Sequence, residues 1–237
     1  MEALRLVFDP SGEVLQAARA CEADIFYQAY GNSPQLLAEE YAAYEDNSVF
    51  VALADSGDEV LGVVRLLAPG ERLKTLDDLA HEPWLTDSKR SVAAARIDLS
   101  STWDVATIGV RPGQKQHRAR LAFALYHSLI VAARVNEAST FMAILDERVR
   151  RLLDTVGITM HSMPGASPMP YLGSRASTPV FCRVAPMLDN QRRNLPDAYR
   201  LVTLGVGLED IEVPPIDHFR YVPRIPLAWR AQRVDAG

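Results

Sequence analysis

The chain has 237 residues, 48% hydrophobic and 23% charged, enough to bury a sizeable core and too apolar for a disordered chain. A formal net charge of -5 argues against a protein that coats nucleic acid, and an acidic partner would need a local basic patch. No stretch approaches the ~18 apolar residues of a membrane span; Met1–Arg5 lacks a signal-peptide pattern, and Cys21 and Cys182 give neither metal spacing nor a disulfide framework. A cytoplasmic protein without a metal is expected.

Leu4–Phe8 reads as a short strand closed by Asp9-Pro10-Ser11-Gly12. From Glu13 to Tyr30 the apolar positions Val14, Leu15, Ala18, Cys21, Ile25 and Phe26 recur at helical spacing. Ser33 as N-cap and Pro34 in the first turn start a second helix to about Tyr44. Two apolar runs, Ser48–Ala54 and Glu59–Leu67, flank Ser56-Gly57-Asp58 and predict a hairpin. Residues 71–101 are polar and mixed, with a short helix near Leu76–Leu79; so long a connection suggests a binding loop or lid.

Thr102–Val110 has strand composition and ends at Arg111-Pro112-Gly113. A basic segment to Arg120 follows, then an apolar helix opens at Leu121. A helix N-terminus presents free N–H groups and a positive dipole end, so strand, basic turn and helix suggest a place for a phosphate-bearing ligand. Thr140–Leu145 is a buried strand, Asp146–Val156 a helix ended by Gly157, residues 158–177 irregular chain, and Thr178–Val184 a last core strand. Beyond Leu188 come Pro196, Pro214, Pro215, Pro223 and Pro226 in short apolar pieces. The expected organisation is a domain over 1–188 and an extension over 189–237 that wraps the domain or meets a second copy, giving a possible homodimer. The fold class is α/β in the sense of an α+β sandwich with a mixed, mostly antiparallel sheet, not doubly wound, because the early strands form a hairpin.

Three segments carry a family resemblance. They are the hairpin ending Val60-Leu61-Gly62-Val63-Val64-Arg65-Leu66-Leu67, the strand Trp103–Val110, and Pro168-Met169-Pro170-Tyr171-Leu172-Gly173 with the strand after it. In order and spacing the chain resembles the GNAT acyltransferase superfamily, and within it the acyl-homoserine-lactone and N-acyl amino acid synthases, over roughly residues 15 to 190. It departs from that pattern at four places. Asp104 stands for the lactone synthases' Glu and Thr107 for their Arg. The turn after Gly113 has no glycine, with Arg118 and Arg120 on small-residue positions, and Leu153 replaces the tyrosine acid of many acetyltransferases.

The resemblance implies transfer of an acyl group from a thioester, on CoA or on the phosphopantetheine of an acyl carrier protein, to a small amine such as an amino acid or a homoserine-lactone-type acceptor. Asp104 is the candidate general base for the amine proton, or else the ion-pair partner of Arg65. Backbone amides from Ile108 to Val110 would polarise the thioester carbonyl. Lys115, Arg118 and Arg120 would meet a phosphate or an acidic carrier. Arg65, mid-strand among Leu and Val, is either an acceptor-side residue or half of a buried ion pair. Tyr171 would donate to the leaving thiolate or simply pack. Trp84 and Trp103 would line an acyl pocket or the core, with Thr107 beside the substrate. Glu39, Glu40, Tyr44, Glu45 and Asp46 lie where the lactone synthases line the acceptor pocket, or form a solvated helix end. The glycine-free turn predicts weak CoA binding and supports a rival reading, a GNAT-fold protein that has lost catalysis and binds a ligand or partner.

Overall fold

The computed structural model describes residues 3–70, 72–114 and 117–224. In chain order they form β1 (Leu4–Phe8), α1 (Gly12–Tyr30), α2 (Pro34–Tyr41), β2 (Ser48–Ala54), β3 (Val60–Leu67), α3 (Lys74–Ala80), α4 (Ser88–Ala95) and β4 (Thr102–Val110). Then follow α5 (Arg118–Val135), β5 (Thr140–Asp146), α6 (Glu147–Thr155), β6 (His161–Ser162), β7 (Met169–Tyr171), β8 (Ser174–Arg183), α7 (Val184–Asn194) and β9 (Ile211–Glu212). The strands build one sheet in the order β6-β8-β5-β4-β3-β2-β1-β9, with β7 on β8. Among the described residues only β4–β5 and β1–β9 pair in parallel, so the sheet is mixed and mostly antiparallel, as the sequence predicts.

Helices cover both faces, which is why β2 is buried at every position and reads as an unbroken apolar run. α1 lies on one face with Ala18, Cys21 and Glu22 turned inward. It comes so close to β4 that a Cβ on Gly109 would sit 2.7 Å from Ile25 Cγ2. α5 lies on the other, its Leu121, Ala124 and Leu125 packed against Val51, Val64 and Val110.

The central feature is where β4 and β5 part. They pair only over Thr102↔Thr140, Trp103↔Phe141 and Asp104↔Met142. Beyond that β5 stays with β8 as far as Asp146↔Ser177, and β4 stays with β3 as far as Gly62↔Val110. A register shift, with Arg65 opposite Thr107 and Leu66 opposite Val105, leaves Ala106 as a bulge. Bulges bend a strand, and this one lies at the point of divergence.

Several boundaries differ from the sequence reading. Residues 72–101 are more ordered than a loop, holding α3 over the short helix expected near Leu76–Leu79, α4 and a 3-10 turn at Leu99–Ser101. α2 ends at Tyr41 and hands over to a 3-10 turn, Ala42–Asn47. α5 begins at Arg118, three residues before the apolar run, and 158–177 contributes β6, β7 and the start of β8. α7 runs through residue 188 without a break. After it, Leu208, Ile211 and Phe219 join the cluster around Leu6, Phe8 and Leu121, and Asn136 Nδ2 donates to the Phe219 carbonyl at 2.7 Å.

Candidate active site

The divergence of β4 and β5 opens a cavity of about 190 Å³. Its walls are β4 from Asp104 to Val110 and β5 from Ile144 to Asp146, closed by Ile25 and Phe26 of α1, Lys74, Thr75 and Asp78 of α3, and Tyr171. Arg111 N–H donates to the Leu61 carbonyl on β3 at 2.7 Å. Backbone groups alternate along a strand, so Ile108 and Val110, which line the cavity, turn their N–H groups away from β3 toward the opening. Below the sheet, an apolar pocket of about 60 Å³ shares Val105, Ile108 and Leu145 with the cavity.

Asp104 sits at the closed end of the split, fully buried. Its Oδ2 accepts the Thr75 backbone N–H at 2.7 Å and its Oδ1 the Thr75 hydroxyl at 2.8 Å. The N–H is one of those that the first turn of α3 leaves without a helical acceptor. Burial pushes the Asp104 carboxyl up to about 6; the two Thr75 bonds pull the other way, nearby Asp78 adds to the rise and Lys74 opposes it. A carboxyl raised in this way lies in the range that suits a general base near neutral pH.

Arg65 pairs elsewhere. Its Nε and Nη2 donate to Glu22 at 3.1 and 2.7 Å and its Nη1 to Glu45 at 2.9 Å, with the guanidinium between the rings of Tyr41 and Phe50. Thr107, which borders the cavity, gives its hydroxyl proton to Glu22. Tyr41 completes the group by donating to the carbonyl of the bulged Ala106 at 3.2 Å. Arg65 is thus half of a buried ion pair, and its partner is Glu22 rather than Asp104.

Tyr171 reaches the cavity, but its phenol proton is held by Asp78 and its pKa is driven far above the ordinary phenol value by burial and by that carboxylate. Trp84 packs on the Tyr171 ring and donates to the Ser167 carbonyl. Trp103 lies away from the cavity, edge-on to Tyr221. Of the expected cations, Arg118 lines the cavity, Arg120 is bonded to Asp210, and Lys115 lies outside the described residues. Among the acidic candidates of 39–46, Glu45 and Glu40 are engaged by Arg65 and Lys74. Tyr44 donates to Asp77.

The donor side offers an exposed Arg118 at the first turn of α5 and a turn at Gly113 (φ 99°) where, among the described residues, a side chain would meet nothing within 4 Å. That suits a single phosphate on a flexible arm. Sequence reasoning did not single out Thr75, Lys74 or Asp78, which sit in the segment read as a binding loop or lid with a short helix near Leu76–Leu79, nor Glu22, whose signal is a charge between Cys21 and Ile25 on an apolar stripe.

Solved structures share this architecture. FeeM, an N-acyl amino acid synthase from uncultured soil microbes, aligns with a TM-score of 0.61 at 12% identity over 88% of this chain and 98% of its own. The fold is the GNAT fold. BjaI, a CoA-dependent acyl-homoserine lactone synthase solved with SAM and isopentyl-CoA, aligns at 0.53 and 13% identity over 98% of this chain and all of its own. An N-acetyltransferase assigned in Lactobacillus plantarum aligns at 0.51 and 12%, over 77% and 99%. At these identities the likeness is one of fold. No family model matches the chain, and no curated protein matches it in sequence. Among the described residues of this GNAT fold, no helix is long and apolar enough to cross a membrane and no three His, Cys, Asp or Glu side chains group as metal ligands.

Proposed function

We propose that the chain is an N-acyltransferase that moves an acyl group from a thioester, on CoA or a carrier protein, to a small amine in the β4–β5 cleft. The observation that carries this is the pairing, in one cavity, of strand amides open toward the split and a buried carboxylate held by the Thr75 N–H and hydroxyl. The thioester carbonyl lies against the N–H groups of Ile108 and Val110, which polarise it and hold the oxyanion of the tetrahedral intermediate; one such donor is worth roughly 10²- to 10³-fold in rate. The amine arrives protonated and loses one proton to Asp104 or to a water on it. Its lone pair forms the C–N bond, the C–S bond breaks, and the thiolate leaves with the second nitrogen proton. Amide and thiol are the products. Arg118 and the first turn of α5 hold the donor's phosphate, and the apolar pocket under Val105 and Leu145 receives the acyl chain.

Thiol release measured with acyl-CoA and with acyl carrier protein over a panel of amines, with mass spectrometry of the products, tests the reading. Amide formation that Asp104→Asn lowers about 100-fold in a folded protein is expected. A chain that binds no thioester would instead be a GNAT-fold protein without this chemistry.

A further inference from the structure

Side chains alternate along a strand, so Phe141, Ala143 and Leu145 of β5 all face the apolar pocket, and Cys182 on β8 stands beside Phe141 on the same face. The bulge at Ala106 puts Val105 and Ile108 of β4 on that face as well. Leu145 lies where β4 and β5 have separated, and Phe141 where β5 is still paired with Trp103. The pocket therefore runs from the open part of the split back under its joined part. Its room comes from the middle position of β5, where Ala143 stands between the larger Leu145 and Phe141. At the far end, Met187 in the first turns of α7, just past Cys182, closes it, and Met160 packs beside it. Met160, Met187 and Cys182 are all buried, so no channel leads on to solvent past them. The pocket measures about 60 Å³. An apolar cavity of about 150 Å³ holds a benzene ring, roughly 25 Å³ per carbon, so a space of this size takes about two or three carbons.

We propose that the acyl group this chain transfers is short, about four or five carbons, and that Ala143 and Met187 set its length. This rests on the acyltransferase reading. The carbonyl carbon lies against the N–H groups of Ile108 and Val110, the next carbon passes between Val105 and Leu145, and the remaining carbons fill the space beside Ala143 and end at Met187. A long fatty chain has no room there unless α7 moves. Ala143→Val would fill most of the space from the strand side, and Met187→Ala would open its far end.

The test presents acetyl, butyryl and octanoyl groups to the full-length protein, each on CoA and on acyl carrier protein, because the order of chain lengths belongs to the pocket and not to the carrier. Binding is measured by calorimetry, and turnover with a panel of amines. Each buried methylene is worth roughly fourfold in affinity, so butyryl is expected to bind about tenfold tighter than acetyl, and octanoyl about tenfold weaker than butyryl. Ala143→Val is expected to erase the advantage of butyryl over acetyl, and Met187→Ala to raise octanoyl affinity about tenfold. The wild-type series and Met187→Ala stand even if Ala143→Val does not fold. Octanoyl binding the wild type as tightly as butyryl, or no binding by any thioester, overturns the proposal. If octanoyl binds best and is transferred, the acyltransferase reading survives and the length limit falls. If butyryl binds best and no amide forms with any amine, the length limit stands and the acyltransferase reading falls.

Discussion

Two clusters of buried charge lie about one strand apart, and they differ in one respect. Around Arg65, each guanidinium nitrogen has a carboxylate acceptor and both faces of the group are covered by aromatic rings. Each carboxylate there has a cation, since Arg19 also donates to Glu45, and Arg65 does not border the cavity. Around Lys74 two carboxylates, Glu40 and Asp78, share one cation, with Asp78 beside the cavity and Asp104 buried at its closed end. A closed network holds a fold together; one with an excess of carboxylates beside a cavity gives that end of the cleft a local negative charge. The same residue types therefore carry opposite roles, and what decides is the count of donors against acceptors.

The largest effect should come from opening the closed cluster. Arg65→Met leaves Glu22 buried and unpaired, and a loss of about 3–5 kcal/mol is expected in urea denaturation; a loss below about 1 kcal/mol would mean the pair is not closed. In the open cluster, Asp104→Asn should lower turnover about 100-fold while moving the unfolding midpoint far less than Arg65→Met does. The pH profile sharpens this. Asp104 is raised to about 6, so its basic form is lost as pH falls through about 6, and the rate should drop tenfold per unit below that value. A limb near 4 in the wild type would point to another base.

Asp146, at the mouth of the cleft, gives a smaller effect. It caps α6 through the Arg148 N–H at 2.8 Å, and the Arg148 side-chain bonds help hold its carboxyl down at about 2. Asp146→Ala should cost about 1 kcal/mol. Because the folded value is depressed, that contribution is present above the ordinary carboxylate value near 3.9 and lost as pH falls through about 2. The melting difference between wild type and variant should therefore shrink over that window. Smallest of all, Arg120→Ala removes a part-exposed ion pair with Asp210 and should change stability by less than about 1 kcal/mol in the same denaturation assay.

Much of the frame is legible in the chain. The hairpin, the strand ending at Val110 and the apolar α5 announce themselves because burial on both faces forces continuous apolar runs. The fold class follows from their order. The site is less legible. α3 and α4 are seven and eight residues long and carry mixed polar sequence, so the chain marks only a short helix near Leu76–Leu79 and leaves α4 unmarked. The contact that matters, Thr75 with Asp104, spans 29 positions and exists only because α3 aims its N-terminus at β4. The need of Arg65 for a carboxylate is readable from its apolar strand, and Glu22 on the apolar face of α1 is the clue to which one. Arg120 reads as a donor-site cation only while the Asp210 that engages it, ninety residues on, is out of view.

The short parallel pairing of β9 with β1, Leu4↔Ile211 and Arg5↔Glu212, has a consequence for how the protein behaves in a crowded solution. Without it, β1 would be the outermost strand, offering a row of unpaired amides and carbonyls to any neighbouring chain. By lending two residues to that edge and sealing Phe219 beneath it, the returning chain occupies the template that would otherwise nucleate fibres. A protein trimmed before Ile211 should accordingly self-associate as its concentration rises.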